Sequence, residues 1–390
     1  MRYEELRTPS YIVREAALRR NLEILKRVRD EAGCRILLAE KAFSMFRVFP
    51  MIAEYLDGTT ASGLYEARLS HEEFKGAENH VFEPAYKPDE LRELCGICTH
   101  VYFNSLTQLE AHRPVWEPYL KAGRIRTAIR INPEFSTQEG HAIYDPCSPG
   151  SRLGIRRSQL PDRLPEGVSG IHFHTLCEQG VGPLIDTFRS IERNFGDILE
   201  QVSWINMGGG HHITRADYDT ERLTTFLRET RERWNADIYL EPGEAVALDA
   251  GTLIASVLDI VDTGDMPTLI LDASAACHMP DVLEMPYTPP LIGAIGDTDG
   301  SEAGRRGVKV RLASRTCLAG DVIGIYTLPS LPKTGDILTF GDMAIYSMVK
   351  NNTFNGMALP DIVLEHDSED GDRFELVKRF GYRDFKERLS

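Results

Sequence analysis

The sequence predicts an α/β protein in which a TIM-type (β/α)₈ barrel is followed by a C-terminal antiparallel β domain. Eight short apolar runs alternate with amphipathic segments and end near residue 245, which is the succession that such a barrel requires. No GxGxxG turn follows the first run, although a doubly wound sheet, the competing fold, would normally carry one there. Beyond Ala250 the chain becomes rich in β-branched residues punctuated by Gly, Pro and Asp, a composition typical of strands joined by turns.

The strand candidates of the barrel are short apolar runs with polar residues at their ends. In chain order they are RILLAE, GTTAS, HVFEP, HVYFN, RTAIRIN, VSGIHFH, VSWINMG and DIYLEP. Amphipathic patterns such as LYEARLSHEEF and LTTFLRETRERW lie between most of them and predict the intervening helices. We therefore expect the barrel to occupy residues 15–250.

The predicted β-rich domain covers residues 251–390. Its strand candidates are TLIASVLDIVDT, TLILDAS, VKVRLASRT, VIGIYTL and DILTF. The early segment PSYIVRE is also strand-like and precedes the first helix, so residues 1–14 are expected to join this domain. The segment GDTDGSEAGRRG at 296–307 is expected to form a mobile surface loop.

Composition and charge exclude several classes of function. The 390 residues are 42% hydrophobic and carry a net charge of −15 without a long basic run, so nucleic acid is not an expected partner and a cationic substrate is favoured. No apolar run approaches the roughly 20 residues of a membrane span. The N-terminal segment MRYEELRTPSYIV lacks the apolar core of a signal peptide. We expect a cytoplasmic protein that does not bind membranes.

Cysteine usage also favours a reducing compartment. The chain has seven cysteines, an odd number without the spacing of a disulfide framework. Cys95 and Cys98 have CxxC spacing, but no second pair or matching histidine motif completes a zinc site. A structural role is therefore predicted for these two cysteines.

A lysine ends the first strand candidate of the barrel. In RILLAEKAFS the apolar run is followed by Glu40 and Lys41. Lys41 can mark the exit of the strand into solvent, or it can serve chemistry, because barrel active sites are built at the carboxyl ends of the strands. Glu40, by alternation, is expected to point away from the barrel interior and to lie at the surface.

Three consecutive glycines follow the seventh strand candidate. Gly208, Gly209 and Gly210 can form a tight turn, but they also expose backbone N–H groups that can surround a phosphate. Because an anion site commonly lies late in such barrels, a phosphate site is the favoured interpretation.

Histidines and a glutamate end the sixth and eighth strand candidates. Glu241 precedes Pro-Gly and can cap a helix or pair with a protonated ring nitrogen, while His174 can be a core histidine or lie flat against a planar cofactor. His172 and His174 also match the HxH pattern of metal-dependent barrel hydrolases, since residues i and i+2 of a strand point the same way. A metal would explain neither the glycines nor Lys41, so no metal is predicted and His172 is expected to fill a deeper layer of the barrel.

These strand-end features form one consistent set. A lysine amine, a phosphate site, a flat stacking group and a carboxylate for a ring nitrogen together describe a site for pyridoxal 5'-phosphate held as a Schiff base. The combination is more specific than any of its members.

The sequence resembles the carboxynorspermidine/carboxyspermidine decarboxylases, which are fold-type III pyridoxal phosphate enzymes with an alanine-racemase-like barrel and a C-terminal β domain. The motifs that carry the resemblance extend over nearly the whole chain. They are TPSYIV, ILLAEKAFS, SRLGI, HFHTLCEQ, NMGGGHHIT, YLEPGEAV, LDASAACHMPDVLEMPY, CLAGD and YSMVKNNTFNG.

The resemblance implies roles for the matching positions. Lys41 would form the Schiff base, His174 would stack on the cofactor ring and Glu241 would hold its nitrogen. The three glycines would bind phosphate, with Tyr346 also near it. Cys317 resembles the cysteine that related decarboxylases contribute from the neighbouring subunit as a proton donor.

The resemblance further implies a homodimer with active sites at the interface, in which Asp321 would lie in the same crossing loop as Cys317 and would bind substrate. Without the resemblance, Cys317 could instead be a buried small hydrophobic residue.

One departure from the relatives points to the substrate. Many relatives carry arginine where this chain has Glu244, and use it on the phosphate; a carboxylate cannot do so and is expected to face a cation. Taken singly, each of the other nearby acids is a surface or capping residue, but as a set they suit a polyamine chain. These acids are Glu178, Asp272, Asp281 and Glu284.

The activity that the resemblance implies is decarboxylation of carboxynorspermidine or carboxyspermidine to norspermidine or spermidine. Diaminopimelate decarboxylase, or another basic amino-acid decarboxylase of the same fold, is the nearest alternative. A pyridoxal-phosphate-binding protein without catalysis is the alternative from a different class, against which the β-rich last third and Cys317 count.

Overall fold

The structure is a computed structural model that describes residues 1–138, 142–295, 307–367 and 373–390. Two compact units make up the chain. The barrel unit consists of residues 20–246, and the sheet unit consists of residues 1–19 together with residues 247–390. The loop expected at 296–307 lies outside the described residues except for Gly307.

The described residues form sixteen strands. They are β1 (Ser10–Arg14), β2 (Arg35–Ala39), β3 (Gly58–Ala61), β4 (Glu78–Phe82), β5 (His100–Phe103), β6 (Arg126–Arg130), β7 (Val168–His172), β8 (Trp204–Asn206), β9 (Asp237–Leu240), β10 (Gly251–Asp262), β11 (Pro267–Leu271), β12 (Val308–Ser314), β13 (Val322–Leu328), β14 (Ile337–Gly341), β15 (Asp361–Glu365) and β16 (Phe374–Lys378).

Long helices follow most of the barrel strands, and shorter ones lie in the sheet unit. The α-helices in the described ranges are α1 (Glu15–Ala32), α2 (Phe49–Ile52), α3 (Leu64–Glu73), α4 (Pro88–Ile97), α5 (Leu106–Ala111), α6 (Arg113–Lys121), α7 (Val181–Leu199), α8 (Thr220–Trp234), α9 (Glu244–Ala247), α10 (Ala275–His278), α11 (Asp281–Glu284), α12 (Ser347–Lys350) and α13 (Tyr382–Lys386). None of them combines the length and the apolarity that crossing a bilayer requires.

Local chemistry explains where several of these helices begin and end. The side chain of Asp219 accepts a hydrogen bond from the Arg222 backbone N–H and caps the start of α8, and Asn235 ends it in the left-handed conformation. Helix α4 begins with Pro88, whose missing N–H costs nothing in the first turn. These features fix where α4 and α8 begin and where α8 ends.

The strands β2 to β9 form a closed parallel barrel. Each strand pairs with the next, and β9 returns to β2 through the partners Arg35 with Tyr239 and Ile36 with Leu240. All eight strand candidates are present in the predicted order, so the predicted barrel is confirmed. Because the strands are parallel, the residues that follow them meet at one mouth of the barrel.

The sheet unit contains a mixed rather than a purely antiparallel sheet. Its strand order is β13-β12-β11-β10-β1-β15-β16, with β14 on β10. Most neighbours are antiparallel, but β1 runs parallel to β15 and β11 runs parallel to β12. Strand β1 lies between β10 and β15, so the N-terminal segment is an inner strand of this sheet.

Candidate active site

Lys41 lies at the barrel mouth, directly after β2. Its Nζ atom is 3.3 Å from Nε2 of His174, which follows β7. Burial lowers the pKa of the Lys41 amine, and the nearby charge of Arg130 lowers it further. A lysine with a lowered pKa supplies the neutral amine that nucleophilic attack on a carbonyl requires.

The backbone of Gly209 fixes the protonation pattern of His174. The Gly209 N–H donates to Nδ1 of His174 at 3.0 Å, so this nitrogen carries no proton. Burial and the charge of Lys41 lower the pKa of His174, so the ring is neutral and its single proton lies on Nε2. That proton faces the Lys41 amine, an arrangement that favours the neutral amine as its acceptor.

Glu241, directly after β9, is held as a carboxylate. The Asn206 side chain donates to its Oε1 atom at 2.8 Å, and Nε2 of His172 lies 3.2 Å from Oε2. Burial alone would raise the pKa of Glu241, but the charge and hydrogen bond of His172, together with the amide of Asn206, lower it. A buried carboxylate that stays ionised at the barrel mouth is suited to hold a protonated ring nitrogen.

These groups line one cavity. It is bounded by Ala39, Lys41, Thr60, Ala61, Ser62, Phe82, Arg130, His172, His174 and Glu241. Sequence reasoning missed Arg130, which ends β6 in RTAIRIN and could have been noticed as a charged residue at a strand end. Its guanidinium donates to the His174 carbonyl oxygen at 2.9 Å and lies 4.6 Å from the Phe82 ring centroid. Burial lowers the pKa of Arg130 to about 10.

The glycine turn packs against neighbouring backbone. A Cβ atom on Gly209 would overlap the carbonyl oxygen of Glu241, and one on Gly210 would overlap that of Leu176. The N–H of Gly208 donates to Oδ1 of Asn206 at 2.9 Å. Since the Gly209 N–H is also engaged, Gly210 is the one glycine of the turn whose N–H has no protein acceptor among the described residues. The phosphate role of the turn stays a prediction, with Gly210 as its available donor.

In the structure Glu244 pairs with a histidine of the chain itself, and its expected contact with a substrate cation stays a prediction. Its Oε2 atom is 3.1 Å from Nε2 of His212. Burial would lower the pKa of His212, but the hydrogen bond and charge of Glu244 and the charge of Glu178 raise it. Glu178 therefore lies in the same acidic group as Glu244, beside the glycine turn.

The other predicted site residues belong to the sheet unit, where several serve its internal structure. Buried Asp321 accepts hydrogen bonds from the Ser274 hydroxyl at 2.6 Å, the Ala276 N–H at 3.2 Å and the Thr316 hydroxyl at 2.5 Å. Asp272 accepts from the Ser256 N–H at 2.8 Å. These bonds account for both carboxylates within the sheet unit, and their substrate role stays a prediction.

The acids of helix α11 share one lysine. Both Asp281 and Glu284 form ion pairs with the ammonium group of Lys350, on α12. A cation already lies between the two carboxylates, so a substrate ammonium would have to replace Lys350 or join it. Tyr346 directly precedes α12 and has a positive φ of 53°.

Cys317 is exposed, so its alternative reading as a buried small hydrophobic residue is wrong. Its backbone N–H donates to Asn355 Oδ1 at 3.1 Å, and its Sγ atom is 3.8 Å from Asn355 Nδ2.

Cys95 and Cys98 are buried free thiols, and burial raises the pKa of Cys95 to about 12. Inert thiols of this kind fit the structural role predicted for the CxxC pair.

Glu40 corrects an expectation from the sequence. Its side chain is completely buried rather than at the surface, and both carboxylate oxygens lack a hydrogen-bond partner among the described residues. Alternation along β2 turned Glu40 toward the layer of helices around the barrel, which contains Ser70 of α3 beside Thr59. The side of a barrel strand that faces away from the interior is covered by helices, and only its ends reach solvent.

Residues 28–344 match the family model of the pyridoxal-dependent decarboxylases, described as their C-terminal sheet domain. The chain belongs to the pyridoxal-dependent decarboxylases. Pyridoxal phosphate is accordingly the cofactor of this decarboxylase. The site fits it on three observations: a lysine amine of lowered pKa, an ionised buried glutamate and an unpaired backbone N–H beside them.

Two relatives of this decarboxylase match over the full length. A carboxynorspermidine/carboxyspermidine decarboxylase of Campylobacter jejuni is 37% identical, over 99% of each chain. A carboxyaminopropylagmatine decarboxylase of Synechocystis sp. is 39% identical, over 100% of this chain and 97% of the relative. Diaminopimelate decarboxylases are more distant, at 22–24% identity.

A solved structure agrees with the sequence relatives. The carboxynorspermidine decarboxylase of Campylobacter jejuni, complexed with norspermidine, superimposes with a TM-score of 0.88 at 35% identity. The match covers 98% of this decarboxylase and 100% of that chain. The predicted barrel and family are therefore confirmed, and a separate C-terminal sheet domain is present, although its sheet is mixed rather than antiparallel.

Proposed function

We propose that this decarboxylase converts carboxynorspermidine or carboxyspermidine into norspermidine or spermidine, as a step of polyamine biosynthesis. The observation that carries the proposal is the full-length similarity to decarboxylases of carboxylated polyamines. The acidic group of Glu178 and Glu244 supports it, because a polyamine presents ammonium groups along its chain. A net charge of −15 further favours a cationic substrate.

The residues that hold the cofactor are assigned as follows. Lys41 would bind its carbonyl carbon covalently, His174 would lie against the ring and Glu241 would receive the ring nitrogen. Gly210, with Gly208 and Gly209 shaping the turn, binds the phosphate together with Tyr346. The assignments of the barrel residues rest on the geometry of the barrel unit. The assignment of Tyr346 rests on the family resemblance alone.

The cofactor, when bound, supplies the electron sink into which a departing carboxyl group leaves its electron pair. Glu241 keeps the ring nitrogen protonated, which strengthens that sink. His174, fixed by Gly209 and Arg130, keeps the ring in place. The Lys41 amine would act as a base that holds or returns a proton, and Cys317 is the proposed donor of the proton that replaces the carboxyl group.

A second candidate substrate is carboxyaminopropylagmatine, which the 39%-identical relative decarboxylates. Agmatine ends in a guanidinium group where a polyamine ends in an ammonium group. A planar guanidinium favours a paired carboxylate, whereas an ammonium group is satisfied by several single oxygens. We expect the choice between the two substrates to depend on whether Glu178 and Glu244 present paired or single oxygens to the substrate's far end.

The assembly is proposed to be a homodimer in the cytoplasm, with active sites at the subunit interface. In this arrangement the loop that carries Cys317 and Asp321 serves the partner's barrel. The exposure of Cys317 in the single chain supports the proposal, because a thiol that serves a neighbour must be accessible.

The test is carbon dioxide release from purified enzyme loaded with pyridoxal phosphate. The substrates are carboxynorspermidine, carboxyspermidine, carboxyaminopropylagmatine, diaminopimelate, ornithine and arginine, each supplied separately. Release from a carboxylated polyamine supports the proposal, and release from carboxyaminopropylagmatine alone selects the second candidate. Release only from one of the three amino acids would overturn both. Lys41→Ala, which cannot hold the cofactor covalently, is the inactive control.

A further inference from the structure

A chain of hydrogen bonds runs through the barrel interior from Glu241 at the mouth to Glu78 at the opposite end. Asn206 donates to Glu241 at 2.8 Å and to the Tyr102 hydroxyl at 2.8 Å. The Tyr102 hydroxyl bonds Nδ1 of His80, and Nε2 of His80 lies 2.8 Å from Oε2 of Glu78. Glu78 begins β4 whereas Glu241 follows β9, so the chain of bonds crosses the length of the barrel.

The direction of every bond in this chain is determined. The amide oxygen is the only acceptor on the Asn206 side chain, so the bond from the Gly208 N–H places Oδ1 toward Gly208 and both amide protons toward Glu241 and Tyr102. The Tyr102 oxygen then accepts from Asn206, and its own proton goes to Nδ1 of His80. Burial lowers the pKa of His80, so the neutral ring carries its one proton on Nε2 and donates it to Glu78.

The interior that holds this chain is unusually polar. Barrel interiors are normally filled by layers of branched apolar side chains. Here Tyr102, His80 and Asn206 are each 0% exposed. A buried polar group without a partner costs about 1–3 kcal/mol, whereas a fully satisfied network rigidifies the groups within it.

We propose that Tyr102, His80 and Glu78 are positioning residues that hold Asn206, and through it Glu241, in the orientation that receives the cofactor's ring nitrogen. The inference rests on the proposed pairing of Glu241 with that nitrogen. Asn206 has two amide protons, and it can direct one to Glu241 without strain only while Tyr102 accepts the other. Tyr102 in turn accepts because His80 takes its proton and Glu78 orients His80.

A metal site at the far end of this chain is the competing interpretation. Glu78, His80 and His100 place donor atoms within 4.8 Å of one another, and Nε2 of His100 has no partner among the described residues. However, both ring nitrogens of His80 already make hydrogen bonds, and the guanidinium of Arg35 pairs with Glu78. A second cation there would have to break these contacts, so the hydrogen-bonded chain is the better account.

The experiment compares cofactor binding and steady-state kinetics in matched variants. Tyr102→Phe removes the hydroxyl but keeps the ring that stacks on His172 at 4.8 Å between centroids. Tyr86→Phe is the control, because the Tyr86 hydroxyl is also buried but donates to the backbone carbonyl oxygens of Tyr102 and Val81, at 2.9 and 3.2 Å, and to none of the side chains that form the hydrogen-bonded chain. Glu241→Gln is the reference for loss of the ring-nitrogen partner.

Tyr102→Phe is expected to raise the Kd of the apoenzyme for pyridoxal phosphate about tenfold. It is also expected to lower kcat about tenfold at saturating cofactor. KM is expected to stay within about twofold of the parent, since none of the three residues touches substrate. Tyr86→Phe is expected to lower the melting temperature without changing either quantity. A merely structural hydroxyl would behave like Tyr86.

His80 provides an independent arm should Tyr102→Phe fail to fold. His80→Leu removes the acceptor of the Tyr102 proton and is expected to reproduce the loss of cofactor affinity. His80→Gln, whose amide can both accept and donate, is expected to lie between the parent and His80→Leu. Equal cofactor affinity in both His80 variants would contradict the inference.

The outcomes separate this inference from the proposed role of Glu241. If Glu241→Gln loses cofactor affinity and kcat while Tyr102→Phe keeps both within twofold, the inference is overturned and the role of Glu241 stands. If Glu241→Gln itself keeps both, the role of Glu241 fails and the inference fails with it. A stoichiometric transition metal in the purified enzyme that is lost in Glu78→Gln would also overturn the inference.

Discussion

At the scale of single residues, Glu40 and Lys41 are neighbours whose pKa values are shifted in opposite directions by burial. Burial lowers the pKa of Lys41 and so yields a neutral amine at the barrel mouth. Burial raises the pKa of Glu40 to about 9, with the charge of Glu66 adding to the effect and Thr59 opposing it. Both shifts disfavour the charged form, but only Lys41 lies in the cavity where a neutral group has chemical use.

Glu40→Gln is expected to stabilise the protein at neutral and mildly alkaline pH. In the folded state Glu40 keeps its proton up to about pH 9, whereas in the unfolded state it releases it near its ordinary pKa. The folded state therefore binds more protons, so stability falls as pH rises between these two values. We expect the substitution to remove about 2–4 kcal/mol of this decline between pH 5 and pH 8.

The measurement is chemical denaturation of the parent and the variant at pH 5, 6.5 and 8. Glu54→Gln, at an exposed position, is the control for loss of a glutamate charge. If the stability of Glu40→Gln declines with pH as steeply as that of the parent, Glu40 is not the buried group whose proton causes the decline.

At the scale of elements, the glycine turn after β8 has a structural requirement that precedes any phosphate. A Cβ atom on Gly209 would overlap the Glu241 carbonyl oxygen, and the Gly209 N–H orients His174. The turn therefore positions two cofactor residues through its backbone. The sequence indicated a glycine-dependent anion site, but it could not show that two of the three N–H groups are used internally.

Gly209→Ala is expected to reduce cofactor affinity at least tenfold and to destabilise the fold by about 1–3 kcal/mol, because backbone atoms cannot yield to the added methyl group. Gly182→Ala, in helix α7 with open space around the added Cβ, is the matched control and is expected to cost nothing. Fluorescence titration of the apoenzymes with pyridoxal phosphate measures the first effect and thermal unfolding the second. Unchanged cofactor affinity in Gly209→Ala would show that the glycine turn does not take part in cofactor binding.

The elements also show which features the sequence could predict. The eight barrel strands were predictable because a parallel barrel repeats one local pattern, and because its chemistry lies where each strand ends. The strand partners in the mixed sheet were not predictable. The parallel pairing of β1 with β15 joins residues about 350 positions apart and leaves no periodic signal in the sequence. Strands β15 and β16 were not predicted either.

The site was predictable where residues form motifs and not where they act alone. Lys41, His174 and Glu241 were found because each ends a strand in a recognisable pattern, and the structure places all three around one cavity. Arg130 and Asn206 were missed because a single polar residue at the end of an apolar run has many structural explanations. The three internal hydrogen bonds of the Asp321 carboxylate were not predictable from the sequence, and the substrate role expected for Asp321 stays a prediction.

At the scale of the whole molecule, the proposed homodimer makes a quantitative prediction. If Cys317 serves the partner's barrel, Lys41→Ala and Cys317→Ala fall in the same active site of a mixed dimer, and the other of its two sites is intact. Random exchange of the two inactive variants is then expected to restore about a quarter of the parental activity. Activity is measured after subunit exchange, with dimer formation checked by light scattering.

The controls for this exchange are each variant alone and a double variant mixed with parent at the same ratio. Recovery that does not exceed the sum of the two separate variants would place Cys317 and Lys41 in the same subunit's site. A monomer in solution at working concentration would contradict the shared-site arrangement altogether.

The central claim is that the chain is a decarboxylase selective for carboxylated polyamines, and a competition assay tests it most directly. Enzyme loaded with pyridoxal phosphate receives equal concentrations of carboxynorspermidine, carboxyspermidine, carboxyaminopropylagmatine and diaminopimelate, and the products are quantified by mass spectrometry at low conversion. The product ratios equal the ratios of kcat/KM. We predict that norspermidine or spermidine exceeds lysine by at least a hundredfold, and that Lys41→Ala forms neither. Lysine as the dominant product would contradict the account.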